Sequence, residues 1–144
     1  MNSLKFLVSP LLILLAPLIS WDLSVSIYDI MQPPICYGIS CVNQDARNAK
    51  CDTDVQTRLE QKIGNITLKL RYSALCNASW ASAIVPPYSI LYVKDKEGKE
   101  YGRYETENDG IAGPHYGNMG PGKKLSACVK LPQDNQPKCT TVAE

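Results

Sequence analysis

Histidine is almost missing from this 144-residue chain, where His115 stands alone. Phenylalanine is equally scarce, with a single residue against eight tyrosines. No charge sign dominates, since 15 Lys and Arg face 14 Asp and Glu for a net charge of +1. There is no CxxC pair, no DxDxDG run, no internal repeat and no low-complexity tract. Each lack removes a class of function. Balanced charge provides no field to gather nucleic acid or an anionic membrane. One histidine without CxxC pairs provides no recognisable zinc ligand set, and the acids lack the spacing of a calcium loop. A serine or cysteine hydrolase needs a base held beside its nucleophile, and nothing in the sequence pairs His115 with a particular serine.

What is present begins with Lys5 and the apolar stretch Phe6–Ile19, which holds Pro10 and Pro17 and is 14 residues long. That is short of the roughly 20 residues a membrane-spanning helix needs. Small residues follow at Ser24 and Ser26. This is the pattern of a secretory signal peptide over residues 1–26, with cleavage after Ser26; the competing reading is an uncleaved membrane anchor. Residues 27–144 then form a single domain. All six cysteines, Cys36, Cys41, Cys51, Cys76, Cys128 and Cys139, fall in that domain. An even count in a small exported chain predicts disulfides. Three bridges allow fifteen connectivities, and the simplest joins neighbours: Cys36–Cys41, Cys51–Cys76 and Cys128–Cys139. No metal and no cofactor is expected.

Residues 27–35 contain Pro33-Pro34 and predict an extended lead-in. From Thr53, apolar and polar residues alternate through Ile63, although Val55, Leu59 and Ile63 also fit a helix. The next run favours the strand reading: Ile66, Leu68, Leu70 and Tyr72 share one face and Thr67, Lys69 and Arg71 the other, with Gly64-Asn65 between the runs as a two-residue turn. The residues from Cys76 to Ala83 predict a short helical turn stopped by Pro86-Pro87. Tyr88–Lys94 and Lys99–Thr106 flank a hairpin loop at Gly98. Residues 107–122, with five glycines and two prolines, predict a long loop or broken strand. Lys124–Leu131 and Lys138–Val142 complete the set. The expected fold is mainly β, a small antiparallel sandwich or barrel of six to seven strands.

The order CxxxxC, then Cys51, then Leu70-Arg71-Tyr72-Ser73, Cys76, Ala78 and Trp80-Ala81, then Ala127-Cys128 and Cys139-Thr140 resembles the YjfA-like family of exported bacterial proteins, a domain of unknown function. Tyr116-Gly-Asn-Met119 is similar to that family's Tyr-x-x-Met element, and the likeness runs from about residue 36 to 141. After the second cysteine, Asn43-Gln44-Asp45-Ala46 stands where the family has Gly-Lys-Asp-Pro. The resemblance implies an exported, disulfide-bonded β domain and carries no catalytic residues or ligand.

Candidate residues divide into scaffold and recognition. Trp80 and Tyr72 are expected to be structural, Trp80 filling a core beside Cys76. If Leu70 and Tyr72 face inward, Arg71 faces outward, free to bind an anion or sugar or to pair with Asp45. His115 and Tyr116 lie in a glycine-rich loop of the kind that carries binding residues. Tyr88, Tyr92, Tyr101 and Tyr104 add rings suited either to recognition or to half-buried strands. Glu105, Glu107 and Asp109 are an alternative acid group. The function expected is a non-catalytic binding module, secreted or periplasmic, whose contact surface is the loop Asp109–Gly120 with Arg71 nearby. Its partner would be an envelope polysaccharide or an extracellular protein. The alternatives are a secreted hydrolase using the His115 loop or the 105–109 acids, and a small secreted inhibitor.

Overall fold

The 53–72 hairpin is the element the sequence marks most clearly, and it forms. In the computed structural model, which describes residues 32–108 and 112–144, β1 (Gln56–Ile63) pairs antiparallel with β2 (Ile66–Ser73), and Ile63 opposes Ile66 across the turn. Only Gly64 of the turn pair takes positive φ, at 60°, the pattern in which glycine leads a two-residue turn. A register shift between Thr57 and Leu59 places Leu59 opposite Leu70, so the apolar side of the hairpin stays on one face. The expected signal segment, residues 1–26, lies outside the described residues, as does Asp109. Everything below belongs to the unit Pro33–Glu144.

The expected helical turn in Cys76–Ala83 is not there. Residues Ala78–Val85 are β3, paired with β2 on one side and with β6 (Gly113–Tyr116) and β7 (Gly120–Pro121) on the other. The reason is tertiary. Alanine favours helix locally, but this strand is covered on both faces, and small side chains allow the close approach that requires. Ala81, Ala83 and Val85 enter one apolar cluster, while Ala78 and Trp80 enter another. The turn from β2 into β3 is set by Asn77 at φ 46° and by Asp54, which accepts from Ser73 Oγ at 2.6 Å and Leu75 N–H at 2.9 Å.

The first sheet therefore runs β1-β2-β3-β6, with β7 also on β3. A second sheet runs β5-β4-β8-β9, from β4 (Ile90–Lys94), β5 (Glu100–Glu105), β8 (Ser126–Lys130) and β9 (Lys138–Cys139). Two distinct antiparallel sheets decide for the sandwich over the barrel. Nine strands stand among the described residues, rather than six or seven. The additions are β3 and the two pieces of the broken 107–122 segment. Leu68, Leu70, Ala81 and Val85 of the first sheet meet Leu91, Val93, Ala127 and Val129 of the second in the main core.

A second, smaller core lies on the other face of the first sheet. There Trp80 (2% exposed) and Ala78 pack with Ala46, Ala49, Met119 and four cysteines. The bridges are Cys36–Cys41, Cys51–Cys76 and Cys128–Cys139. The first closes a loop within the strand-free segment before β1, and the second fastens that segment to the turn between β2 and β3. The third joins directly opposed positions of β8 and β9.

One glycine is obligatory. Gly102 sits at φ +66° in a bulge where two residues of β5 oppose Tyr92 of β4, and a Cβ there would overlap the Asn118 carbonyl. Its N–H donates to Asn43 Oδ1 at 2.9 Å. Gly102→Ala is expected to destabilise by about 2–3 kcal/mol through backbone strain and overpacking, measured as a lowered denaturation midpoint. A midpoint within about 0.5 kcal/mol of wild type would show that the bulge relaxes.

Asp95 closes the β4–β5 hairpin. Loss of hydration pushes its carboxyl pKa up, but hydrogen bonds from Lys99 N–H (2.8 Å), the Tyr101 hydroxyl (3.0 Å) and the turn N–H groups outweigh this and hold it below the usual range. A depressed folded value means the stabilisation is present above the unfolded pKa of about 3.9 and is lost as pH falls through the folded value. Asp95→Asn should therefore lower the thermal midpoint at pH 6, and the gap to wild type should narrow as the pH falls below the unfolded value and through the folded one. A gap that stays equal over that fall would assign the effect to shape rather than charge.

Candidate functional site

The register of the first sheet sets Arg71 directly opposite two residues, Thr57 on β1 and Trp80 on β3. Leu70 points into the main core and is fully buried, so alternation turns Arg71 to the opposite face. Arg71 Nη1 donates to Thr57 Oγ1 at 3.0 Å. Its Nε is buried and meets no hydrogen-bond partner among the described residues.

The strand β6 brings in the far end of the chain. Tyr116 is paired with Ser82 and His115 with Ala83. Tyr116 is 45% exposed. His115 is half-buried, and its Nε2 is a second buried atom with no partner among the described residues. Arg71, His115 and Tyr116 all line one cavity of about 470 Å³, within the size range of small-ligand sites. The sequence reading placed Arg71 near the loop of His115 and Tyr116, and all three border this cavity. Trp80 lines the same cavity while remaining almost wholly inside the second core. Tyr72 lies outside it, half-buried, its hydroxyl bonded to Asn77 Oδ1 at 3.2 Å.

Much of the remaining wall comes from residues 45–55, before β1, and from β5. Asp45, Arg47, Asn48 and Asp52 stand on one side and Tyr104 on another. Asp45 Oδ1 accepts the Asn48 N–H at 2.8 Å, a local turn that holds its carboxylate in place. Arg47 and Asp52 approach to 3.9 Å as an exposed pair, worth little to stability. The cavity thus combines guanidinium and imidazole groups with carboxylates, an amide and tyrosine rings. Among the described residues its lining contains no Ser, Thr or Cys. Glu105 and Glu107 are exposed and stand apart from it. Tyr92 is instead a core residue; burial raises its pKa, with Glu100 adding to the effect.

Sequence reasoning missed Asp52, Asn48 and Arg47, and used Asp45 and Tyr104 only in passing. A strand-free polar stretch has no periodicity to say which way it points. The signal available was indirect: Cys51 lies at one end of the stretch, and its bridge to Cys76 holds that end against the sheet.

A family model described as "Protein of unknown function (DUF2690)" matches residues 39–141. No curated protein and no solved structure matches the chain.

Proposed function

The chain belongs to the DUF2690 family of proteins of unknown function, and from that footing we propose that it is an exported, non-catalytic binding module whose cleft takes a saccharide of the cell envelope. The observation that carries this reading is the convergence of Arg71, Tyr116, Tyr104, Asp45 and Asn48 on one cavity that His115 also borders, with Arg71 Nε buried and without a hydrogen-bond partner among the described residues. Buried polar atoms are ordinarily satisfied, so an unpartnered guanidinium nitrogen on a residue of the cleft suits a ligand that supplies an acceptor. Sugar hydroxyls both donate and accept, which fits a wall that mixes arginine and asparagine donors with carboxylate acceptors. Tyr104 and Tyr116 add the amphipathic rings such ligands pack against. Among the described residues the lining holds no serine, threonine or cysteine, which disfavours ester or peptide hydrolysis through those nucleophiles.

Export is supported by the signal-peptide pattern of residues 1–26 and by the three disulfides, which persist in oxidising compartments. The narrower YjfA-like resemblance, carried by Leu70-Arg71-Tyr72-Ser73, Cys76 and Trp80, supports the same setting. An extracellular protein is the second partner class, and the test separates it from the first.

Purified envelope polysaccharide, a neutral glucan and an extracellular protein fraction are the probes for a pull-down. Retention on the envelope polysaccharide is expected. Arg71→Ala should weaken it about tenfold or more, the usual effect of losing a hydrogen bond to a charged group, with an unchanged circular dichroism spectrum. His115→Ala and Tyr116→Ala should weaken it less. Equal retention of wild type and Arg71→Ala, or capture only by the protein fraction, would contradict the saccharide reading.

A further inference from the structure

Two of the three bridges form a single cluster. Cys36 Sγ and Cys51 Sγ belong to different bridges yet lie 3.8 Å apart. The four sulfurs of Cys36, Cys41, Cys51 and Cys76 all lie within 4.8 Å of one another. Cys41, Cys51 and Cys76 are fully buried, and Cys36 is 7% exposed. Four thiolates about 2.3 Å from one zinc ion stand roughly 3.8 Å apart at the corners of a tetrahedron. The fold has gathered such corners from residues that no CxxC spacing announces.

Main-chain hydrogen bonds help the bridges to place these positions. Gly38 N–H donates to the Cys76 carbonyl at 2.7 Å, tying the first cysteine loop to the end of β2. Cys51 N–H donates to the Ala46 carbonyl at 2.8 Å, and Asn43 N–H to the Met119 carbonyl at 2.9 Å. Ala46, Ala49, Trp80 and Met119 form an apolar shell around the cluster. Such a shell suits a closed structural site with no open coordination position.

We propose that, once both bridges are reduced, Cys36, Cys41, Cys51 and Cys76 bind one zinc ion as a structural four-cysteine site that takes over the clamping role of the two disulfides. Each bridge accepts two electrons and two protons from a thiol reductant, which is oxidised to its own disulfide. The four thiols then release four protons as their thiolates bind the cation. Thiolate ligands select a soft or borderline ion and reject calcium and magnesium. Cys128 and Cys139 lie on the second sheet and take no part. The inference rests on the cysteine geometry and not on the cleft.

The test uses the full chain, reduced without oxygen by a water-soluble phosphine, which is converted to its oxide and does not compete for metal. Cobalt(II) alone is titrated as the spectroscopic stand-in. One equivalent should bind, with thiolate charge-transfer and tetrahedral ligand-field bands, and one equivalent of zinc should displace it. The pair Cys36→Ser and Cys51→Ser should abolish those bands, and Cys128→Ser with Cys139→Ser should leave them intact. Zinc should also restore protease resistance around residues 36–51 that the reduced, metal-free chain lacks. Absence of binding, whether or not the reduced chain stays folded, overturns the proposal. So does binding that survives the first pair or is lost with the second.

Discussion

The covalent clamp over the outer face of the first sheet is the constraint on which the second core and the cleft depend. A sandwich buries one face of each sheet against the other, and here Leu70, Ala81 and Val85 serve that purpose. The opposite face of β3 carries Trp80, too large an apolar surface to leave in water. Its cover is the segment from Cys36 to Cys51, which contains one short 3-10 turn, Gly38–Cys41, and no strand. That cover contributes only small apolar groups, Ala46 and Ala49 among them. Burial at about 25 cal/mol per Å² of apolar area is therefore a modest force here. The Cys51–Cys76 bridge adds about 3 kcal/mol by restricting the unfolded chain, and it attaches the cover at the point where β2 turns into β3.

The same clamp makes the cleft. Arg71 and Trp80 sit on neighbouring strands of the sheet, and β6 adds His115 and Tyr116. Without the cover these groups would form one side of an open surface. Asp45 and Asp52, carried on the fastened segment, supply the facing wall. Scaffold and site are thus the same residues seen from two sides. Trp80 is a core side chain in the cysteine cluster and at the same time a floor for the cavity.

How far the sequence disclosed this differs by element. The hairpin of β1 and β2 was legible because alternation and a Gly-Asn turn act locally. The second sheet was legible for the same reason, through the Asp95–Lys99 turn and the apolar run of β8. Strand β3 was not, since Ala-Ser-Trp-Ala-Ser-Ala has no period of two and its conformation is imposed by neighbours on both faces. Arg71, His115 and Tyr116 were visible as chemical types. Their meeting depends on β6 pairing with β3 across about thirty residues of chain, which no local pattern encodes. The sulfur cluster was hidden likewise: adjacency of Cys36 and Cys51 arises where the segment before β1 folds back on itself, Ile35 N–H donating to the Ala49 carbonyl at 3.2 Å, while their spacing in sequence points away from a metal site.

The most direct test removes Cys51–Cys76 by the double change Cys51→Ser and Cys76→Ser and follows amide hydrogen exchange in the oxidised chain. Loss of about 3 kcal/mol of local constraint corresponds to roughly a hundredfold faster exchange where the clamp acts. The account predicts that residues 36–51 lose protection by about that factor, while β4 and β8 in the main core keep most of theirs. Unchanged protection in residues 36–51 would contradict it, because apolar contact alone would then be holding the cover in place.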